Sequence, residues 1–289
     1  MSGWRADRLR LRVQQTAPVL YDPEANLAGI ARAQGEAGAD GVDLLVTPEL
    51  SLTGYDVRDA VHRLAVPEND APFPALAEGP DVVLGLVERD AAFTPYNAAL
   101  HLRGGRVLHR HRKVYLPTYG MFDEGRYFGP GGQVRAYDAG GGWRMGLLVC
   151  EDLWHPALAY LLATDGAHLV VVQSGAAGRG AVAGGATGGR FASWDAWEPL
   201  ARAVAIAYGV YVALCNRSGV EGPLVFAGGS MIVAPDGEVL ARADDGGEDA
   251  ITADLSLDAV AAARRPYSHA RDDDPHLVLR ELARLVEGR

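Results

Sequence analysis

The chain has 289 residues, 48% of them hydrophobic and 22% charged, a composition that excludes a disordered, collagen-like or disulfide-stapled protein. Its 27 basic and 37 acidic residues give a formal net charge of −10 at pH 7, which disfavours nucleic-acid and anionic-membrane partners. The two cysteines suit a reducing cytoplasm, and the most apolar run, residues 203–215, is shorter than the roughly 20 residues of a membrane span. We therefore expect a cytoplasmic globular protein.

The first part of the chain alternates predicted strands with one helix. Asp22 as N-cap, Pro23 at the first helical position and Gly38 beyond the last turn mark a helix over residues 23–37. Alternating or continuous apolar runs predict strands over residues 9–15, 43–47 and 81–88.

Hairpins and strand–helix units follow. Gly104 and Gly105 predict a tight turn within residues 97–115, and Pro235-Asp236-Gly237 predicts another within residues 229–243. Two buried strands, residues 145–149 and 169–173, each precede a helix, at residues 156–163 and 194–208. This mixture indicates a single α/β (α+β) domain over residues 1–289 with mixed sheets.

Two further segments have distinctive composition. Residues 274–286 form an amphipathic C-terminal helix, with an apolar face able to dock on the same domain or on a second subunit. Residues 175–189 are glycine-rich but lack the lysine of a phosphate-binding loop, so a surface or lid loop is the preferred interpretation.

Three segments place a reactive side chain at or just beyond a predicted strand. Glu49 follows the second strand directly after Pro48, at the sheet edge where α/β proteins bind ligands. Lys113, the one lysine beside 26 arginines, ends the second strand of the first hairpin. Cys150 ends an apolar run and precedes two acids, so we expect a sharp turn that exposes backbone amides.

Each of these residues has an ordinary structural interpretation when taken alone. A cysteine in an apolar run is usually inert core, and a single glutamate or lysine is usually a surface residue. Together they supply a thiol nucleophile, a carboxylate base and an ammonium that holds an oxyanion. The sequence therefore predicts an acyl-transfer site formed by Glu49, Lys113 and Cys150.

The sequence motifs around these residues resemble those of the nitrilase, or carbon–nitrogen hydrolase, superfamily. The resemblance extends over essentially the whole chain. The segments PELSLTGY, RKVYLP and CEDLWHP follow the family order of glutamate, lysine and cysteine. Within the superfamily, the chain is most similar to the glutaminase domain of glutamine-dependent NAD synthetases, in the segments YLPTYGMFDEGRYF, CEDLWHP and LVFAGGS. The resemblance implies a four-layer αββα sandwich with mixed sheets.

The same resemblance assigns supporting residues. Glu124 matches the family's second glutamate, which positions the lysine and the substrate, and the backbone N–H of Glu151 is implied as an oxyanion donor. Tyr119 and Trp154 fall where the glutaminase branch lines its pocket. We expect an aromatic substrate-binding wall made of Tyr55, Tyr119, Phe122 and Trp154.

The implied mechanism requires neither metal nor cofactor. Glu49 takes the thiol proton, Cys150 attacks an amide carbonyl, ammonia leaves, and water activated by Glu49 hydrolyses the thioester. His109 and His111 share a strand face but lack the further close ligands of a zinc site.

Four functions remain open at this point. A thiol amidase acting on a small primary carboxamide is preferred, followed by a glutaminase subunit that supplies ammonia to a separate synthetase. A nitrilase and a non-catalytic regulatory subunit are the others, and the intact triad argues against the last.

The sequence also departs from the glutaminase branch. The SGGxDS loop of full NAD synthetases does not occur in it, and the glycine-rich stretch replaces residues that grip the amino-acid end of glutamine. Arg179 or Arg190 are candidates for that role. The resemblance further implies a homodimer or larger oligomer packed through residues 154–163, and the amphipathic C-terminal helix offers a second apolar face.

Overall fold

The computed structural model describes residue 4 and residues 6–69, 73–178, 181–182, 190–191, 194–266 and 269–288. In these residues the helices are α1 (Pro23–Ala39), α2 (Val61–Leu64), α3 (Pro156–Thr164), α4 (Trp197–Tyr208), α5 (Leu257–Arg264), α6 (His269–Asp272) and α7 (Pro275–Glu287). The strands are β1 (Arg8–Gln15), β2 (Leu44–Val46), β3 (Val66–Pro67), β4 (Asp81–Arg89), β5 (Pro95–Arg103), β6 (Arg106–Arg112), β7 (Tyr137–Gly140), β8 (Trp143–Val149), β9 (Leu169–Ser174), β10 (Ala181–Val182), β11 (Arg190–Phe191), β12 (Tyr211–Asn216), β13 (Ser218–Glu221), β14 (Leu224–Ala227), β15 (Met231–Val233), β16 (Val239–Arg242) and β17 (Asp249–Ser256).

The first large sheet has the strand order β17-β1-β2-β4-β5-β6, with β3 paired to β4 outside that path. Strands β1, β2 and β4 run parallel, with Val46 paired to Val13 on one side and to Val83 on the other. Antiparallel pairs extend the sheet on both sides: β17 pairs with β1, β5 pairs with β4, and β6 pairs with β5. The carboxyl end of β2 therefore lies inside the sheet, where Glu49 follows it.

The second large sheet has the order β16-β15-β12-β9-β8-β7. Its centre is parallel, because Gln173 of β9 pairs with Val149 of β8 and with Cys215 of β12. Antiparallel strands β7, β15 and β16 complete it. Cys150, directly after β8, thus stands at the carboxyl edge of a parallel unit.

The two sheets pack face to face between helices, which gives the four-layer αββα sandwich with mixed sheets. Leu11 and Val46 of the first sheet share one buried cluster with Leu147 and Val171 of the second. Alternate residues of the first sheet face α1 instead, in a second cluster that includes Ile30. Helices α3 and α4 cover the outer face of the second sheet. The most apolar residues are thereby removed from water on three interfaces.

Glycine lets the layers approach closely at the nucleophile strand. A Cβ on Gly146 of β8 would lie 2.5 Å from Leu162 Cδ1 of α3, well inside any normal contact. Helix α3 therefore packs directly on the strand that ends at Cys150.

Most predicted elements are present, with shifted ends. The hairpin of β5 and β6 turns through Gly104 and Gly105, both at positive φ, as the paired glycines predicted. The Asp22 side chain caps α1, but Gly38 lies inside this helix, which continues to Ala39.

Two further boundaries differ from the sequence expectation. Helix α4 begins at Trp197 rather than Trp194, and β6 ends at Arg112, so Lys113 is the first residue after the strand. Strands β3, β7, β12, β13, β14 and β17 were not predicted. Strand β17 is defined by its distant partner β1, whereas β7, β13 and β14 are four-residue hairpin strands, too short to show a clear period of their own.

The C-terminal helix α7 is amphipathic and unburied. Asp274 caps it through a bond from the Leu277 backbone N–H at 3.0 Å. None of its residues is buried, and its apolar side chains, including Leu282 and Val286, are exposed. Among the helices the structure describes, none is long and apolar enough to cross a membrane.

Candidate active site

The thiol of Cys150 is presented by a strained backbone turn. Cys150 directly follows the last residue of β8 and is the first residue of a 3₁₀ turn, Cys150–Trp154. Its φ of +48° lies in the left-handed region that residues with a side chain rarely adopt. Such strain persists only where surrounding contacts hold it, and it is common at functional sites. The Ser174 hydroxyl at the end of β9 donates a hydrogen bond to Sγ at 3.6 Å.

Glu49 is held in a tight turn after β2 and is fully buried. Gly85 of β4 makes room for this turn, since a Cβ there would lie 2.3 Å from the Pro48 carbonyl oxygen. Oε1 of Glu49 accepts hydrogen bonds from Asn97 Nδ2 at 2.7 Å and from Lys113 Nζ at 2.8 Å. Oε2 has no partner within the described residues, so it is the oxygen available for proton transfer.

Lys113 is a buried ammonium between two carboxylates. Its backbone N–H donates to the Asn97 carbonyl oxygen at 2.8 Å, which fixes the chain just after β6. Nζ donates to Glu49 Oε1 at 2.8 Å and to Glu124 Oε1 at 2.7 Å. An ammonium has three donors, so one N–H is left for an oxyanion.

Glu124 completes this charged group from the loop after Lys113. It starts the 3₁₀ turn Glu124–Arg126, and its Oε1 also accepts a 2.5 Å hydrogen bond from the Tyr55 hydroxyl. Burial and the negative charge of Glu49 raise the pKa of Glu124 to about 7, although Lys113 acts in the opposite direction. Its Oε2, like that of Glu49, has no partner in the part of the chain that the structure describes.

Burial and charge also fix the resting protonation states of the other two groups. Burial alone would lower the pKa of Lys113, but the charges of Glu124 and Glu49 outweigh it and hold that pKa well above its ordinary value. Burial and the charge of Glu49 raise the pKa of the Cys150 thiol well above its ordinary range, while Lys113 opposes the rise. The resting site is therefore a neutral thiol beside an ammonium, which needs a base to become a nucleophile.

A cavity of about 300 Å³ opens onto Cys150 and Glu151. Aromatic and small residues form the rest of its lining: Pro117, Tyr119, Phe122, Trp154, Ala176, Ala177, Ala196 and Trp197. This volume is at the lower end for small-molecule sites. At its rim, the Tyr119 hydroxyl donates to Glu151 Oε2 at 2.7 Å.

The four aromatic residues expected as a wall divide into two groups. Tyr119, Phe122 and Trp154 line the Cys150 cavity. Tyr55 lies behind it, where it bonds Glu124 and packs edge-on against Phe122, with ring centroids 6.2 Å apart. In the structure its role is therefore to hold a carboxylate rather than to line the cavity.

The candidates from the glycine-rich stretch fall mostly outside the described residues. Arg179 is outside them, and for Arg190 the structure gives only the backbone of β11. Gly175, at the start of the stretch, packs tightly into the site, since a Cβ there would lie 2.9 Å from Tyr55 Cδ2 and 3.0 Å from Glu49 Oε2.

Sequence reasoning missed three residues that hold the site. Asn97 bonds both Glu49 and the backbone of Lys113, and Ser174 bonds the thiol. Asp152 bonds the backbone N–H groups of Val114 and Val149, next to Lys113 and Cys150. Asn97 stands among apolar residues in β5, and this polar break in an apolar run is the one signal that could have found it.

The two histidines of β6 make unrelated contacts. His111 Nε2 donates to Asp152 at 2.8 Å, whereas the His109 ring stacks on Tyr137 at 3.8 Å between centroids. Burial lowers the pKa of His109 to about 4. Within the described residues, no group of three or more His, Cys, Asp or Glu side chains is placed to hold a metal ion.

A buried thiol, a carboxylate with a free oxygen and an ammonium with a free donor define the class of a thiol-dependent hydrolase site. The chain belongs to the carbon–nitrogen hydrolase family, whose model matches residues 10–265, and so to the nitrilase superfamily.

Several relatives support this membership. The glutamine-dependent NAD(+) synthetase of Thermotoga maritima is 36% identical over 264 residues, which are 87% of this chain but 42% of that protein. An (R)-stereoselective amidase from Pseudomonas sp. is 29% identical over 265 residues, 87% of this chain and 85% of the amidase. A variant of the amidase from Nesterenkonia sp. AN1 superposes with a TM-score of 0.78 at 26% identity, covering 97% of this chain and 99% of that one. The chain thus spans less than half of the synthetase but nearly the whole length of the amidases.

Proposed function

We propose that the protein is a thiol amidase that hydrolyses a small primary carboxamide to its acid and ammonia. The observation that carries this proposal is the pair of buried, unpartnered carboxylate oxygens, Oε2 of Glu49 and Oε2 of Glu124, within the described part of the site. Both accept hydrogen bonds, and an amide NH₂ has two to donate. A nitrile donates none, so these acceptors would stay unpaired at a considerable cost in free energy.

The geometry supports a two-step reaction. Glu49 Oε2 takes the Cys150 thiol proton as the S–C bond forms, and the resulting oxyanion is held by the free N–H of Lys113 and the backbone N–H of Glu151. The first N–H groups of a helical turn have no partner inside the turn, so the Glu151 amide suits this role.

The acyl group then leaves as the acid. Glu49 returns its proton to the departing nitrogen, which leaves as ammonia, and a thioester on Cys150 remains. A water molecule gives a proton to Glu49 and attacks the thioester, and the sulfur leaves and recovers that proton. All atoms and protons are supplied by the substrate, one water and the described residues.

The cavity supports a short substrate with an uncharged or zwitterionic tail, glutamine-like in size. Glu151 is an acid in the lining, and no lysine or arginine occurs among the described lining residues. A terminal carboxylate would therefore need Arg179 or Arg190. The Nesterenkonia amidase variant carries the acetamide moiety of fluoroacetamide on its active-site cysteine, which supports a carboxamide substrate for this fold.

A second candidate is a glutaminase that supplies ammonia to a separate synthetase. It is favoured by the 36% identity to the Thermotoga maritima NAD(+) synthetase, of which this chain spans less than half. This candidate requires glutamine as the preferred amide, with weak activity that rises when the partner is added.

Matched amide and nitrile pairs, with and without a terminal carboxylate and including glutamine, test these functions through ammonia release. We expect amides to exceed their nitriles in kcat/KM, and a thioester adduct on Cys150 in intact-mass spectra. A nitrile preferred over its own amide would overturn the amidase proposal. Glutamine preferred over all other amides would favour the second candidate.

We further propose that the protein is a homodimer. Leu161 of α3, Ile206 of α4 and the apolar face of α7 are exposed, and closed two-fold symmetry is the commonest way to cover such faces. Light scattering at micromolar concentration should give about twice the 30.6 kDa chain mass. The mass of a single chain would rule the dimer out.

A further inference from the structure

The carboxylate of Asp152 lies between the cysteine and the lysine without contacting the cavity. It is fully buried, two residues after Cys150 in the 3₁₀ turn. Its Oδ2 accepts hydrogen bonds from the backbone N–H of Val149 at 3.1 Å and from His111 Nε2 at 2.8 Å. Its Oδ1 accepts from the backbone N–H groups of Val114 and Tyr115, each at 3.0 Å.

These four donors flank the two reactive residues. Val149 immediately precedes Cys150, and Val114 immediately follows Lys113, so the carboxylate bonds a chain neighbour of each. The cysteine belongs to the end of the second sheet and the lysine to the end of the first. Asp152 is therefore a bridge across the two sheets at the level where the chemistry takes place.

The Tyr119 hydroxyl also reaches the cysteine turn from the segment after Lys113, through Glu151 Oε2, but Asp152 bonds the backbone next to both reactive residues. Asn97 fixes Lys113 to Glu49 inside the first sheet, and Ser174 bonds Sγ from the second. A displacement of about 1 Å between reacting groups costs on the order of 10²-fold in rate, so the bridge sets a distance that matters.

We propose that Asp152 is a positioning residue for hydrolysis, supported by His111, and that it sets the distance between the Cys150 thiol and the Lys113 ammonium. This inference rests on the proposed amidase function. Asp152 acts through Val149 and Val114 and touches no substrate, so its loss should lower kcat and leave KM nearly unchanged.

The primary test is Asp152→Asn. The amide oxygen can still accept from Val114 and Tyr115, but the NH₂ group then faces the Val149 N–H, donor against donor. We expect kcat per titrated active site to fall about 10²-fold, with KM changed by less than about threefold. The rate at which iodoacetamide alkylates Cys150 should also fall, measured by peptide mass with Cys215 as the internal reference.

Asp81, at the end of the first sheet opposite to Lys113, provides a matched control. Asp81 starts β4, is also buried, and accepts from His101 Nε2 at 3.1 Å and from Arg103 Nη2 at 2.6 Å. Asp81→Asn disrupts an aspartate–histidine pair of the same kind away from the site. We expect a lower melting temperature, with kcat per titrated site and the Cys150 alkylation rate close to the wild type.

His111→Leu keeps the test decisive if Asp152→Asn does not fold. It removes one of the four bonds and should lower kcat about tenfold. Wild-type kcat per titrated site in the folded variants, or an equal loss in Asp81→Asn, would overturn the proposal. If the wild type hydrolyses no amide, the proposed function fails, and the alkylation rates alone still decide whether Asp152 positions the thiol.

Discussion

The two cysteines of this protein occupy closely similar places in the second sheet, yet only one has the surroundings of a nucleophile. Cys150 directly follows β8 and Cys215 is the last residue but one of β12, and both strands lie beside β9. Cys215 is level with Val149, one residue before Cys150. Both are buried, and burial is the first cause that raises the pKa of each thiol well above its ordinary value. Burial therefore does not distinguish them.

Backbone direction and charge do distinguish them. Cys150 leaves its strand at a φ of +48° and is surrounded by Glu49, Lys113 and Glu124, whose charges act on its pKa. Cys215 continues within β12, and its thiol donates to the carbonyl oxygens of Gln14 and Val46, each at 3.5 Å. The expected difference in reactivity thus rests on the turn and the converging charges rather than on the residue type or its depth.

Removing the two thiols one at a time tests this comparison most directly. Cys150→Ala should lower kcat about 10⁴-fold or more, since no other group can form the thioester. Cys215→Ala should keep wild-type kcat and lose about 1–2 kcal/mol of stability through a small core cavity. Ammonia release and chemical denaturation measure the two effects. Normal turnover by Cys150→Ala would refute the mechanism.

Changing the shape of the cation tests the contribution of charge geometry. Lys113→Arg keeps the charge, but the planar guanidinium cannot reproduce the two bonds of 2.7 and 2.8 Å together with a free donor for the oxyanion. We expect kcat to fall about 10²–10³-fold. The melting temperature serves as the control for folding, and turnover above a third of the wild type would contradict this role of the lysine.

The protonation of Glu124 should give the next largest effect, a fall in activity at acidic pH. With its pKa raised to about 7, Glu124 loses its negative charge below neutral pH and holds the Lys113 ammonium less firmly. We expect kcat/KM to fall about tenfold per pH unit below 7. A profile that stays flat down to pH 5.5 would show that ionised Glu124 is not needed.

The raised pKa of Glu124 affects stability in the opposite direction to activity, because it stabilises the folded protein at low pH. Because the folded-state pKa exceeds the ordinary value of 4.5, the folded protein binds more protons at Glu124 between these limits. This contribution is therefore present below pH 4.5 and is lost as the pH rises through 7. Glu124→Gln should remove both its acidic limb in activity and its contribution to the pH dependence of unfolding.

Close backbone packing around the base predicts the smallest effect. Gly175→Ala places a methyl group 3.0 Å from Glu49 Oε2 and 2.9 Å from Tyr55, so both side chains must shift. We expect kcat to fall about three- to tenfold, within the range that small displacements of reacting groups produce. Gly35→Ala, on α1 where a Cβ meets nothing within 4 Å, is the matched control and should leave kcat unchanged. Equal activity of the two variants would show that Glu49 tolerates displacement.

The sequence alone predicted the layered architecture, which the structure confirms, and singled out the candidate reactive residues. Apolar runs such as residues 145–149 predict buried strands because burial on both faces leaves a continuous apolar pattern. The sequence could single out Glu49, Lys113 and Cys150 because each stands at or just beyond a predicted strand. The motif around each also resembles the same family. The strand–helix units and the glycine turns are local signals, so the chain itself carries them.

Only the tertiary structure decided how these residues are held. Asp152 lies 41 positions from His111, and Asn97 lies 48 from Glu49, so their hydrogen bonds depend on how two sheets pair and pack. The same holds for Tyr55, whose hydroxyl bonds Glu124 instead of lining the cavity. Side-chain contacts between distant strands arise from the sum of many non-local packing interactions, and local sequence patterns do not encode that sum.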